Sequence, residues 1–128
     1  MVTAVRLPPA PPRTGFCFLE VARRHGDYAQ AGVAVRLTLD DGGRCGDARL
    51  VFLAVGPGPV ACTRAAAALA GQPPTPELFA AAGRIAAEEE VDPTGDMHAS
   101  VDFKRHLVGV LATRALAVAT RRAVEAGS

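Results

Sequence analysis

Seven consecutive residues gather the side chains best suited to chemistry: Arg23-Arg24-His25-Gly26-Asp27-Tyr28-Ala29. They bring two guanidinium groups, an imidazole, a carboxylate and the only tyrosine of the chain around one glycine. His25, Asp27 and Tyr28 are residue types that give or take protons, which makes them the candidate catalytic groups. Tyr28 also offers a flat apolar ring, so a planar ligand could lie on it while Asp27 or His25 hydrogen-bonds to that ligand. The same residues equally suit a β-bulge with a solvated polar tip. Residue types alone leave both readings open.

The remaining reactive types carry less. His98 and His106 lie eight apart, with Asp96 and Asp102 nearby. Metal ligands on a helix sit one turn apart, so this spacing gives no metal site and favours surface or capping histidines. Gly42-Gly43 and Gly56-Pro57-Gly58 lack the spacing of a phosphate-binding loop or a dinucleotide turn and read as plain turns. Glu88-Glu89-Glu90 reads as a solvated charge run, placed at the helix end where negative charge gains little. Cys17, Cys45 and Cys62 form no Cys-x-x-Cys pair. They read as reduced, mostly buried thiols of a cytoplasmic protein, with Cys45 expected at the surface in its Gly-rich turn.

The elements that must position these residues follow from pattern. Leu7-Pro-Pro-Ala-Pro-Pro-Arg-Thr14 is an extended leader, because proline fixes φ and lacks the amide hydrogen. Residues 1–14 therefore form a Pro-rich leader, and 15–128 a single domain. Phe16–Val21 is aromatic and branched and predicts a first strand. Val33, Val35, Leu37 and Leu39 alternate with Ala34, Arg36 and Thr38, giving a second strand with one buried face. Asp40-Asp41-Gly42-Gly43 signals a hairpin, and a third strand runs from about Ala48 to Val55. Ala61–Ala70 predicts a short helix closed by Gly71. Thr75-Pro76-Glu77 starts a second helix running to about Glu90, and Ser100 caps a last one of roughly 24 residues. The order β-β-β-α-α-α gives an α+β fold: a three-stranded antiparallel meander with three helices packed on it.

Composition bounds the classes. The chain has 128 residues, 49% of them hydrophobic, with no tryptophan, so its core is built from Ala, Val and Leu. A domain of this size buries roughly two-thirds of its unfolded surface. Fourteen Lys and Arg against thirteen Asp and Glu leave a net charge of +1, which argues against nucleic acid and against a polybasic membrane anchor. No stretch reaches the ~18 apolar residues of a membrane span.

Taken together, these segments resemble one family. Phe18-Leu19-Glu20-Val21-Ala22-Arg23-Arg24-His25-Gly26-Asp27-Tyr28-Ala29, followed by Gly32-Val33-Ala34, is similar to the start of the C-terminal domain of the flavoprotein (medium) subunit of carbon monoxide dehydrogenase and related molybdenum hydroxylases. Ala65–Gly71 and Asp96-Met97-His98-Ala99-Ser100-Val101-Asp102-Phe103-Lys104-Arg105-His106-Leu107 extend the resemblance along essentially the whole chain. It implies a three-stranded antiparallel sheet on a helical bundle. It also implies that the domain closes over the flavin of a separate FAD-binding domain, with Tyr28 beside the isoalloxazine ring and Asp27 shaping that contact. The Gly-rich loops that hold FAD phosphates in the family belong to that other domain, so this chain is expected to bind no cofactor alone. Electron transfer would further involve iron–sulfur and molybdenum subunits. Phe103 and Lys104 stand where the family usually carries Tyr and Arg.

A second class is a stand-alone domain using the same strand end for cofactor-free cyclase, isomerase or dehydratase chemistry on a small organic substrate, with His25, Asp27 or Tyr28 as acid/base groups. A sheet lacking its covering domain would expose apolar surface, so a homo-dimer or a hetero-complex is expected.

Overall fold

A computed structural model describes Met1–Ser128. Strands β1 (Thr14–Ala22), β2 (Ala29–Leu39) and β3 (Cys45–Leu53) form the expected antiparallel meander, and a two-residue strand, β4 (Val60–Ala61), adds to the far edge in the order β1-β2-β3-β4. Helices α1 (Thr63–Leu69), α2 (Pro76–Ile85) and α3 (Val101–Ala126) follow. The α+β architecture read from the sequence is the one observed. β1 starts at Thr14, and the Arg13 carbonyl accepts from the Leu39 amide at 2.9 Å, so the end of the leader is already sheet.

Alternation puts Cys17, Leu19 and Val21 opposite Val35, Val33 and Ala31 on the inner face, with Leu50 and Phe52 of β3 beside them. α3 covers this face with Leu107, Val108, Leu111 and Leu116 and a row of buried alanines ending in Ala119 and Ala123. Small residues let it come close: a Cβ on Gly15 would lie 1.8 Å from the Ala119 carbonyl oxygen. α2 meets α3 in the same manner, since a Cβ on Gly83 would lie 2.8 Å from the Gly109 oxygen. The outer sheet face has no helix on it, and Phe16 and Phe18 remain 50% and 55% exposed there.

Caps set the helix starts as the sequence predicts. The Thr75 hydroxyl accepts from the Leu78 amide at 3.2 Å with Pro76 in the first turn, and the Ser100 hydroxyl accepts from Phe103 at 3.1 Å.

Three expectations are corrected. The second helix does not run as α-helix to Glu90; it widens after Ile85 into a π-helical turn over Ala86–Glu90. Glu90 is not a solvated member of a charge run: its carboxylate accepts from the Arg64 and Ala65 amides at 2.8 and 2.9 Å, capping the start of α1. Cys45 is 1% exposed, because its backbone pairs with Gln72 and Gly71 at 2.9 and 2.7 Å and draws the end of α1 over it. Gly71 takes φ +75 to make that turn.

Candidate functional site

β1 and β2 are joined by the segment singled out above. A register shift between Val21 and Ala22 ends the regular ladder, and Ala22 pairs with Ala29. The intervening turn closes through the Asp27 amide donating to the Arg24 carbonyl at 3.1 Å, with Gly26 at φ +83. Few side chains other than glycine adopt that φ without strain, which explains the glycine between His25 and Asp27. The bulge at this strand end is therefore present, and it aims the turn's side chains outward.

His25, Asp27 and Tyr28 all lie on this one turn and all are exposed. Tyr28 stands 97% exposed, its ring free on both faces. Beside it, Glu20 to Asp27 line a shallow concavity of about 570 Å³. None of the three candidate groups hydrogen-bonds another, so the turn lacks the nucleophile–base or base–orienter pair that acid/base catalysis builds on.

A second element braces the turn from outside its own strands. Asp96 accepts from the His98 and Ala99 amides at 2.8 and 3.0 Å, which shapes the loop before α3. Its other oxygen lies 2.8 Å from the Lys104 ammonium. That hydrogen bond, helped by the His98 amide, lowers the Asp96 carboxyl to a pKa of about 2. Lys104 is 7% exposed, an unusually buried lysine that this carboxylate neutralises. The loop then reaches the turn: an Arg23 guanidinium nitrogen lies 3.1 and 3.4 Å from the two ring nitrogens of His98, and the Gln30 amide donates to the His98 carbonyl at 3.4 Å. His98 thus serves as a brace. His106 lies apart from it, and no three His, Cys, Asp or Glu side chains gather into a metal-binding group.

Sequence reasoning placed the turn but missed Asp96, Lys104 and Arg23 as its supports. The signal was present only in part: Lys104 stood out as a departure from the resembled pattern. Its partner could be found only in the fold.

The sequence pattern of the CO dehydrogenase flavoprotein C-terminal domain matches residues 16–119. The chain belongs to that family. Among similar proteins, this flavoprotein C-terminal domain is 34% identical over 123 residues to the alpha subunit of the 6-hydroxypseudooxynicotine dehydrogenase complex of Paenarthrobacter nicotinovorans, covering 96% of this chain and 41% of that one. It is 31% identical over 127 residues to the carbon monoxide dehydrogenase medium chain of Afipia carboxidovorans, covering 96% and 42%. In three dimensions it superimposes on carbon monoxide dehydrogenase from Hydrogenophaga pseudoflava with a TM-score of 0.84 at 31% identity, covering 91% of this chain and 40% of that chain. Quinoline 2-oxidoreductase from Pseudomonas putida 86 gives 0.78 at 32% identity, covering 91% and 39%. The chain therefore spans about two-fifths of the length of these relatives. Every relative reported is a subunit or chain of an oxidoreductase, and none points to a cyclase, isomerase or dehydratase. No helix is long and apolar enough to cross a membrane.

Proposed function

We propose that this domain covers the flavin of an FAD-binding domain inside a multi-subunit molybdenum hydroxylase, packing the Tyr28 ring against the isoalloxazine. One observation carries the reading: the only tyrosine stands 97% exposed on a glycine-closed, bulged turn in a member of a flavoprotein family. An uncovered aromatic ring on a braced strand end is suited to contact a planar partner through its face. Asp27, its neighbour on the turn, borders that contact and accepts hydrogen bonds from it. The chain offers no cradle of glycine amides for FAD phosphates, so the phosphate sites belong to the partner domain. FAD bound there supplies the redox chemistry, and this chain contributes the covering surface.

The relatives are subunits of multi-chain dehydrogenases, which supports a hetero-complex over a homo-dimer. The three unpaired thiols suit a reducing compartment, which supports a cytoplasmic location.

The test is a native purification from the host on a tag carried by the full chain, with a visible spectrum and mass spectrometry of the eluate. Flavin and iron–sulfur absorbance accompanied by an FAD-binding protein supports the reading. A colourless eluate without partners overturns it.

A further inference from the structure

A groove between the helices shares no residue with the Tyr28 turn. Gly83 meets Gly109, and the Arg105 guanidinium donates to the Ala87 carbonyl, so α2 and its π-helical turn run antiparallel to α3. Between them lies a groove of about 650 Å³. Its floor is small and apolar, with Ala80, Gly109 and Val110. Gly109 keeps the floor low, since nothing but the Gly83 oxygen, at 3.9 Å, would come near a Cβ there.

The rim is charged, and the charge is uneven along it. Glu88 and Asp102 lie at one end together with Arg105 and His106. Arg84 stands one helical turn from Glu88, and Arg114 lies at the far end from Asp102, both exposed. Neither has a carboxylate partner: the ion pairs of the protein are Arg36–Asp47, Arg64–Glu89, Lys104–Asp96 and Arg121–Glu125. Arg84 and Arg114 are thus two of the unpaired guanidinium groups of the chain, and both flank one apolar floor. Guanidinium forks match carboxylates bidentately, and an apolar strip between them matches the hydrophobic face of a helix.

We propose that the α2–α3 groove docks an acidic amphipathic helix of a partner protein, its apolar face on Ala80 and Val110 and its carboxylates on Arg84 and Arg114. Charge complementarity and the apolar floor together select this occupant. The near-neutral chain argues against a nucleic acid, and two arginines fall short of the cluster an anionic membrane needs. Asp102 and Arg114 lie about three turns apart along α3, which fixes the direction: the acidic residues of the partner lie toward Arg84 and Arg114, away from Asp102.

The probe is a fluorescein-labelled helical peptide with leucines on one face and glutamates flanking them, beside a counterpart with lysine for every glutamate. Anisotropy with the full chain is expected to show saturable binding of the glutamate peptide alone, weakening as salt rises. Binding should fall at least about tenfold in the R84E/R114E double variant. Ala80→Glu, which supplies a carboxylate beside both guanidinium groups from within the chain, should block it to a similar extent. Amide shifts in a 15N-labelled chain should centre on Ala80, Gly109 and Thr113. Equal binding of the lysine peptide, no binding of either peptide, indifference to both variants, or shifts elsewhere would each overturn the proposal. So would sedimentation of the chain with phosphatidylserine vesicles when the peptide fails to bind. A failure leaves the flavin reading standing, since the two surfaces are separate.

Discussion

The Lys104 ammonium is buried 2.8 Å from the Asp96 carboxylate, and the same carboxylate holds the loop that touches Arg23. This pair sets an acid limit on the fold. Asp96 has its pKa lowered to about 2, so its stabilising contribution is complete above the ordinary carboxylate value near 4. It is lost as pH falls from about 4 to about 2, where the folded state also takes up the proton. Asp96→Asn should therefore lower the melting temperature at neutral pH, and the gap to the natural protein should close across that acid window. A gap that stays constant down to pH 2 would show that the carboxylate charge does not matter.

Gly15 should tolerate no side chain. The Cβ of alanine would fall 1.8 Å from the Ala119 carbonyl oxygen, which is main chain of a long helix and cannot move alone. Gly15→Ala is expected to cost about 3 kcal/mol or more by denaturant unfolding, at the upper end of core overpacking. Gly58→Ala is the control, with open space around its Cβ. It should leave stability within about 0.5 kcal/mol.

Glu90 should behave as a helix cap contributed by a distant segment. Its carboxylate takes the Arg64 and Ala65 amides, at the positive end of α1. Glu90→Ala should destabilise the domain by roughly 1 kcal/mol, and Glu90→Gln, which keeps one acceptor oxygen, by less. The neighbouring Glu88→Ala, exposed and uninvolved in the cap, should change little.

These residues show what the sequence could and could not reveal. Cap chemistry is local, so Thr75-Pro76 and Ser100 marked their helices from neighbouring residues alone. The alternation of Val33, Val35 and Leu37 is local too, and it fixed which face of β2 is buried. Glu90 looked like one of three equivalent glutamates, because its partners lie 25 and 26 residues away. Cys45 looked exposed, because what buries it is the distant end of α1, where Gly71 and Gln72 pair with the Cys45 backbone. β4 is two residues long and has no periodicity to read. The site divides in the same way. The Arg23–Tyr28 turn announced itself by residue type, but its brace joins Arg23 to His98 across 75 residues, and only the packed fold supplies that link.

All three thiols should resist modification in the folded protein. Burial pushes the Cys62 thiol up to about 12, with the Glu90 charge adding to it, and burial likewise raises Cys45. Cys17 is also buried. A disulfide reagent at pH 8 should label none of them at a rate faster than unfolding, and all three in denaturant. Rapid labelling of one thiol under native conditions would reveal local opening around it.

Tyr28 separates contact through a ring face from proton transfer. Its ring is free of the domain core, so neither Tyr28→Phe nor Tyr28→Ala should shift the melting temperature appreciably. If the ring lies on a flavin, phenylalanine keeps the face and should preserve association with the FAD-loaded partner. Alanine removes the face and should weaken that association about tenfold, the scale of one buried aromatic contact. The visible spectrum of the bound flavin should shift in the alanine variant alone, because only there does water replace the ring. A hydroxyl acting as an acid would reverse the order, with phenylalanine as damaging as alanine. Equal tolerance of both substitutions in the assembled complex would remove Tyr28 from the flavin contact.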